Sequence, residues 1–388
     1  MTSMQSRGEI ARYLLARGVD TRTLKVPAAV MQAASRVAKR VAVAMPDGLT
    51  PIRDPLAGGV TAADPLPAAD AVVITWTAAE LAGLAKVMCP GFAAERYWQD
   101  YTHNFDAFAA NIRPSAPARQ ANRLGSYQLV SIGDLRVLLL KSELHLNQDR
   151  IETGPGLATL PVKDFFTQIV AETGAHYVLT VGTAGSVYEA FGLGDAVITR
   201  AAKFRLREEF KNEPYNGVSY KSDWQVPLTH LAQAQSLMET FTQQLAVPAF
   251  APPTKEFAFP NGTITAPPYV PRIRLEQGAK DMPEFHPILT TDYFEYGTTA
   301  NDLDAEGAAV EMGDAALGLA CSEMAMPPNW LVVRNMSDPV INGDLPAKQF
   351  HLNEQTTWAV AYYTAYGEWT SATGACAVWG VLAGIATA

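Results

Sequence analysis

Residues 177–199 read YVLTVGTAGSVYEAFGLGDAVIT. Tyr177–Val181 is an apolar, β-branched run of strand length, and it passes straight into Gly182-Thr183-Ala184-Gly185. Asp195–Thr199 (DAVIT) is a second such run. A Gly-rich turn at a strand end lets backbone N–H groups approach a ligand closely, and a plain tight turn accounts for it as well. The stretch is not a Walker loop, since no Gly-Lys-Ser/Thr follows. It is not a dinucleotide fingerprint, since Ser186-Val187 stands where a third Gly would fall.

Working outward, the same kind of strand recurs at Ala71–Thr75 (AVVIT), Leu135–Lys141 (LRVLLLK) and Trp330–Val333. Between them lie stretches with helical spacing. Ala79, Leu81, Leu84, Ala85 and Met88 precede a Pro90-Gly91 stop, and Phe165, Phe166, Ile169 and Val170 are closed by Gly174. A further helix is expected over residues 305–325, with Val310, Leu317 and Leu319 among many alanines, and one or two amphipathic helices at the end. Apolar strands alternating with helices predict an α/β fold whose mostly parallel sheet is covered on both faces. Ligands of such sheets sit beyond the carboxyl ends of the strands, which selects Trp76–Glu80, Gly182–Ser186 and Asn335–Asp338.

The 388 residues fit one large core with additions. Residues 1–69 read as an Ala-rich helical segment (1–45) followed by a Pro-, Gly- and Asp-dense linker or surface loop (46–70). The remainder, 70–388, reads as one catalytic domain with insertions near 101–125 and 220–285. The formal charge of −9 makes a polymeric nucleic acid an improbable partner, because the surface repels phosphate backbones. Three scattered cysteines, Cys89, Cys321 and Cys376, provide neither a disulfide framework nor metal-ligand spacing, which fits a reducing cytoplasm. No apolar signal-peptide core stands near the N-terminus. The apolar end, Ala375–Ala388, is too short to span a bilayer and reads as a buried terminal helix.

Three carboxylates stand at or near the expected ligand edge, and each has an ordinary explanation. Asp338, after Ser337 and before Pro339, lies just past a buried strand, where an Asp often caps a turn. Glu311-Met312 sits in a small, apolar stretch read as helix, where a Glu either faces solvent or points into a pocket. Glu80 opens the helix after the first strand, where an acid complements the helix dipole.

Their order along the chain adds what none carries alone. VVITWTAAE (72–80), LLLKS (138–142), YVLTVGTAGSVYEAFGLGDAVIT (177–199), LTTDYF (289–294), GAAVEMGDAA (307–316) and VVRNMSD (332–338) resemble, in sequence order over roughly residues 70–385, the nucleoside phosphorylase/nucleosidase superfamily. Within it they are most similar to the methylthioadenosine/adenosylhomocysteine nucleosidases. The resemblance implies a three-layer sandwich around a twisted, mostly parallel sheet, a homo-oligomer, no cofactor and no metal. It implies that Glu80 activates the attacking water, that Asp338, oriented by Ser337, protonates N7 of the departing purine, and that Phe294 stacks on the base. Met312 would lie under the ribose, with Thr183, Gly182 and Ala184 along the sugar or nucleophile side. The chemistry is coherent. An oxocarbenium-like transition state needs a proton for the leaving base and a nucleophile on the opposite face, and burial can keep an Asp protonated near neutral pH.

The sequence departs from the family pattern in four places. The nucleosidases read VEME, the second Glu holding the ribose hydroxyls; here Gly313 stands there, so ribose recognition is altered or comes from Glu311 or an insertion. The phosphate-binding arginines of phosphorylases are replaced by Thr180 and Ala79, which favours water over phosphate. Lys141 and His145 are either substitutes for that charge or a strand-end Lys and a surface His. Lys203, Arg205, Arg207 and Lys211 follow the DAVIT strand; alternation puts 203, 205 and 207 on one face, either solvated or a site for a 5′-phosphate. Trp76 replaces a small residue and either packs the core or narrows the pocket. The expected function is hydrolysis of a purine nucleoside or nucleotide to base and sugar. The alternatives are a phosphorylase and a non-catalytic nucleoside-binding module.

Overall fold

The computed structural model describes residues 44–89, 91–92, 97–146, 150–152, 154–244, 270–276, 281–345, 347 and 354–388. The helical reading of residues 1–43 and part of the expected 220–285 insertion lie outside them. In chain order the elements are β1 (Ile52–Arg53), β2 (Ala71–Thr75), α1 (Ala78–Met88), β3 (Gln99–Tyr101), α2 (Phe105–Ala109), α3 (Pro117–Ala121), β4 (Gly125–Ile132), β5 (Leu135–Ser142) and α4 (Pro161–Thr173). There follow β6 (Tyr177–Ser186), β7 (Ala196–Thr199), β8 (Ala201–Arg205), β9 (Ser219–Lys221), α5 (Leu231–Gln244), β10 (Ile273–Leu275), β11 (Ile288–Thr291), β12 (Ala309–Glu311), α6 (Asp314–Glu323), β13 (Asn329–Asp338) and α7 (Glu354–Ala386).

The middle of the sheet is parallel: β5, β2, β6 and β13 lie side by side, with Ile74 opposite Leu140 and Thr180, and Val332 opposite Thr180. β4 joins β5 antiparallel through a two-residue turn at Gly133-Asp134, where Gly133 takes a positive φ of 56°. β12 pairs antiparallel with the far half of β6 and continues into β11 and β8 as parallel neighbours. β7 runs antiparallel along β13. Alternation along the strands separates two cores. Val73, Leu139 and Leu179 face α1, α5 and α7, meeting Leu84, Met88, Phe241, Trp369 and Trp379. Val72, Ile74, Leu138 and Leu140 face α4 and α6, meeting Phe165, Phe166, Ile169 and Leu317. This is the expected three-layer α/β sandwich, with antiparallel strands added around a parallel centre.

Three expectations change. Gly182–Gly185 is not a turn but the far half of β6. The helix expected over 305–325 starts only at Asp314; Ala309–Glu311 is strand β12, paired with Gly185 and Leu289, and Met312-Gly313 separates it from α6. The chain ends in one 33-residue helix rather than one or two amphipathic ones. By length and hydropathy α7 could cross a membrane, yet 89% of its most apolar window is buried inside the protein. A helix apolar all round is a core helix when packed on every side. Gly83 of α1 allows the contact with α7, since a Cβ there would lie 2.6 Å from the Ser371 carbonyl carbon.

The Pro-rich 46–70 stretch is irregular except for β1, and it is pinned to the domain: Trp379 Nε1 donates to Leu49 O (2.8 Å) and Leu66 N to Glu172 Oε2 (2.7 Å). The 101–125 stretch forms α2 and α3. Tyr101, stacked on Phe165 at 6.0 Å, ties it to α4.

Candidate active site

β2 delivers the chain to the ligand edge at Thr75, and Thr77 caps α1. The Thr77 hydroxyl accepts from Glu80 N (3.3 Å), and Glu80 Oε2 accepts from Thr77 N (2.8 Å), a capping box. Glu80 does more than cap. Its Oε2 also accepts from Trp76 N (3.0 Å) and the Thr75 hydroxyl (3.2 Å). Its Oε1 accepts from Thr183 N and Oγ1, both at 2.8 Å. These donors and the nearby Arg334 guanidinium outweigh the desolvation of a fully buried carboxyl and hold Glu80 below its ordinary range.

β6 forms the floor. Neither Gly182 nor Gly185 takes a positive φ; each is small because a side chain comes close. A Cβ at Gly182 would lie 2.6 Å from Glu80 Oε1, and one at Gly185 would lie 2.9 Å from Asp338 Oδ2. At about 3.3 Å per residue, the two glycines set the two carboxylates at opposite ends of roughly 10 Å of strand.

Asp338 ends β13, beyond an irregularity in its pairing with β6 after Met336. Its Oδ1 accepts from the Ser337 hydroxyl (2.9 Å). Burial pushes its carboxyl up to about 7, against a smaller lowering by Ser337. Below about pH 7 the two acids are thus held in opposite states, the arrangement that assigns an acid and an anion to one site.

One cavity of about 1140 Å³, counting its mouth, holds both. Glu80, Asp338, Ser337, Thr183, Ala184, Phe294, Glu311, Met312 and Trp76 all line it. Gly182 lies behind the wall, against Glu80 and Arg334. Arg205 is not on the wall. It is 9% exposed and bound by Glu295, Glu306 and the Tyr293 hydroxyl, so its charge is already neutralised. The reading of 203, 205 and 207 as an anion-binding face is corrected: Arg207 is exposed and only the intervening Arg205 is buried, facing acids. Lys141 is a strand-end Lys, next to last in β5, and it is buried in an ion pair with Glu143. His145, by contrast, lines the cavity.

Arg334 carries the part of the site that single-residue reading missed. It lies inside the apolar strand β13, 2% exposed. Its Nε and Nη2 grip Asp314 (2.7 and 2.5 Å), Nη2 also reaches Glu311 Oε2 (3.1 Å), and Nη1 donates to Thr183 O (3.4 Å). The signal was an arginine within a buried strand, which demands acidic partners. Glu311, expected on a helix, is the last residue of β12. Its Oε1 accepts from the Thr290 hydroxyl and Asp314 N (2.9 Å), its Oε2 from Gly313 N (2.6 Å). Desolvation and the adjoining Asp314 push it up to about 7, opposed by Arg334. Trp76 lies over Arg334, with Cζ 5.0 Å from the ring centroid, and edge-on to Phe166 at 6.3 Å, so it both packs the core and forms cavity wall.

No family model matches the chain and no curated protein matches it. Among solved structures it is similar to a 5′-methylthioadenosine/S-adenosylhomocysteine nucleosidase from Neisseria meningitidis in complex with methylthio-immucillin-A, at 14% identity over 81% of this chain and 98% of that one, with a TM-score of 0.44. It is similar to the S-adenosylhomocysteine nucleosidase of Streptococcus pyogenes in complex with 5-methylthiotubericidin (14%, 82% and 97%, TM-score 0.43). It is also similar to the futalosine hydrolase of Helicobacter pylori (11%, 81% and 97%, TM-score 0.42).

Proposed function

We propose that this chain hydrolyses the N-glycosidic bond of a purine nucleoside to free base and sugar. One observation carries the reading: Glu80 and Asp338, from distant parts of the chain, line a single cavity, the first held ionised and the second held protonated up to about 7. The family resemblance of the surrounding motifs supports it.

Asp338 donates its proton to the base nitrogen as the C–N bond breaks, so the base leaves neutral. The bonding electrons go with the base and leave the sugar as an oxocarbenium ion. The ionised Glu80, fixed by five donors, faces that developing positive charge. Water attacks from Glu80's side. Its proton passes to Glu80 when the Thr183 hydroxyl, the one rotatable donor on Oε1, turns away. Phe294, on the wall at the Asp338 end, is the stacking platform for the base.

Water is favoured over phosphate because Arg334, the arginine on the wall, is already shared by Asp314 and Glu311. Release of free purine from a nucleoside panel, measured with and without inorganic phosphate, tests the proposal. Hydrolysis proceeds equally in both. A strict phosphate requirement makes the chain a phosphorylase, and retained adenine binding without base release makes it a binding module, the reading that the side-chain-free Gly313 favours.

A further inference from the structure

Resting on the hydrolase reading, we infer that the sugar half of this cavity is built for a 2′-deoxyribosyl group, and that Trp76 is the residue that sets this selectivity. The floor strand orients the substrate. Gly185 lies against Asp338, and the Tyr296 Cα would be 3.6 Å from a Cβ at that position, so the 294–296 segment with Phe294 flanks the acid end. The base therefore occupies that end. The sugar occupies the other, where Gly182 lies against Glu80 and Arg334. C1′ stands between the acid and the ionised carboxylate. C2′ is bonded to C1′, so its substituent is the one forced into the deep corner, while the 3′ and 5′ substituents point further out.

That corner consists of Trp76, Gly313, Glu311 and Arg334, and its polar groups are engaged apart from one Nη1 N–H of Arg334. The carboxylate of Glu311 accepts three hydrogen bonds, from the Thr290 hydroxyl and the backbone of Gly313 and Asp314, and is ion-paired with Arg334. Three hydrogen bonds and an ion pair leave a carboxylate little spare capacity. Glu80 accepts five. Arg334 spends its Nε and Nη2 on acids. Gly313 adds no side chain, and the space one would use is taken: a Cβ there would lie 3.3 Å from Trp76 Cζ2. What meets a 2′ substituent is the indole, 6% exposed and held over Arg334. A hydroxyl pressed there trades water for an aromatic surface and filled acceptors, whereas a methylene loses nothing.

A 2′-hydroxyl also slows glycosidic cleavage inductively, so turnover alone does not decide the matter; binding does. Adenosine and 2′-deoxyadenosine are titrated calorimetrically into the Asp338→Asn protein, which retains the cavity and cannot protonate the base. The deoxynucleoside is expected to bind roughly tenfold tighter or more. In Trp76→Ala on the same background the ratio falls toward one as water enters the corner. Trp76→His, which puts a ring with hydrogen-bonding nitrogens in the indole's place, reads the same trend if the alanine variant does not fold. Equal or tighter binding of adenosine, an unchanged ratio in the Trp76 variants, or binding of neither nucleoside overturns the inference. The parent reading is tested separately by base release from the unsubstituted protein. Release with a ribonucleoside binding preference sinks the sugar assignment alone, and selective binding without release sinks the hydrolase alone.

Discussion

Replacing Asp338 by Asn keeps the shape of the side chain and removes its proton. Burial raises this carboxyl from 3.8 to about 7, and the Ser337 hydroxyl offsets only part of that. At about 1.4 kcal/mol per tenfold change, the protonated form is favoured in the fold by roughly 4 kcal/mol. Two consequences have opposite signs. Base release by the unsubstituted protein should be level below pH 7 and fall about tenfold per unit above it, and the Asn variant should lose on the order of 10²–10⁴ in kcat/KM. Stability moves the other way. Between pH 4 and pH 7 the native state holds a proton that the unfolded state has released, so stability falls as pH rises through that window and stays low above it. Asn carries no such penalty. Urea melts should show the Asn variant gaining on the unsubstituted protein by about 2–3 kcal/mol between pH 5 and pH 8, with the two converging below pH 4. A stability difference that does not change with pH, or near-normal turnover at pH 6, would refute the assignment of a buried, protonated acid.

Arg334→Met should cost about 3–5 kcal/mol in a denaturant melt, because it leaves Asp314 and Glu311 buried without their shared cation; a loss under 1 kcal/mol contradicts the ion cluster. Gly83→Ala should cost about 1–3 kcal/mol by forcing α1 away from the Ser371 backbone, with kcat per folded molecule retained. Arg205→Ala should leave the nucleotide-to-nucleoside preference unchanged, since Glu295 and Glu306 already neutralise that guanidinium; a selective, salt-sensitive loss of nucleotide turnover would restore it as a phosphate site.

Most of the layer order was legible because the strands that form it are unbroken apolar runs. β2 matches its expected span, and β5 and β13 extend theirs. β4 was not legible: GSYQLVSI mixes Gly, Ser and Gln with apolar residues, and the buried Gln128 satisfies its amide on Leu129 O, a partner no periodicity reveals. β12 is three residues long, too short for a period to register, and its alanines read as helix. Strand-end position put the two acids at one edge, and the order of the surrounding motifs singled them out among acids with ordinary explanations. Arg205 was misread for the opposite reason. Its neutralising partners lie 90 and 101 residues away, and charge along a single strand cannot report them.

Gly313 and Trp76 show how far reading one position at a time can go. Taken singly, the first stands where the resembled family has a carboxylate and the second where it has a small residue. In the fold they are one change, because a side chain at 313 and the indole at 76 compete for the same few ångströms. The acid of that corner, Glu311, is held by three hydrogen bonds, from Thr290, Gly313 and Asp314, and by its ion pair with Arg334. The corner is therefore walled by the indole, with the ion cluster of Arg334, Asp314 and Glu311 behind it. Under the proposed function, the indole wall bears on which sugar enters, while Glu80 and Asp338, lining the same cavity, bear on whether the bond is cut.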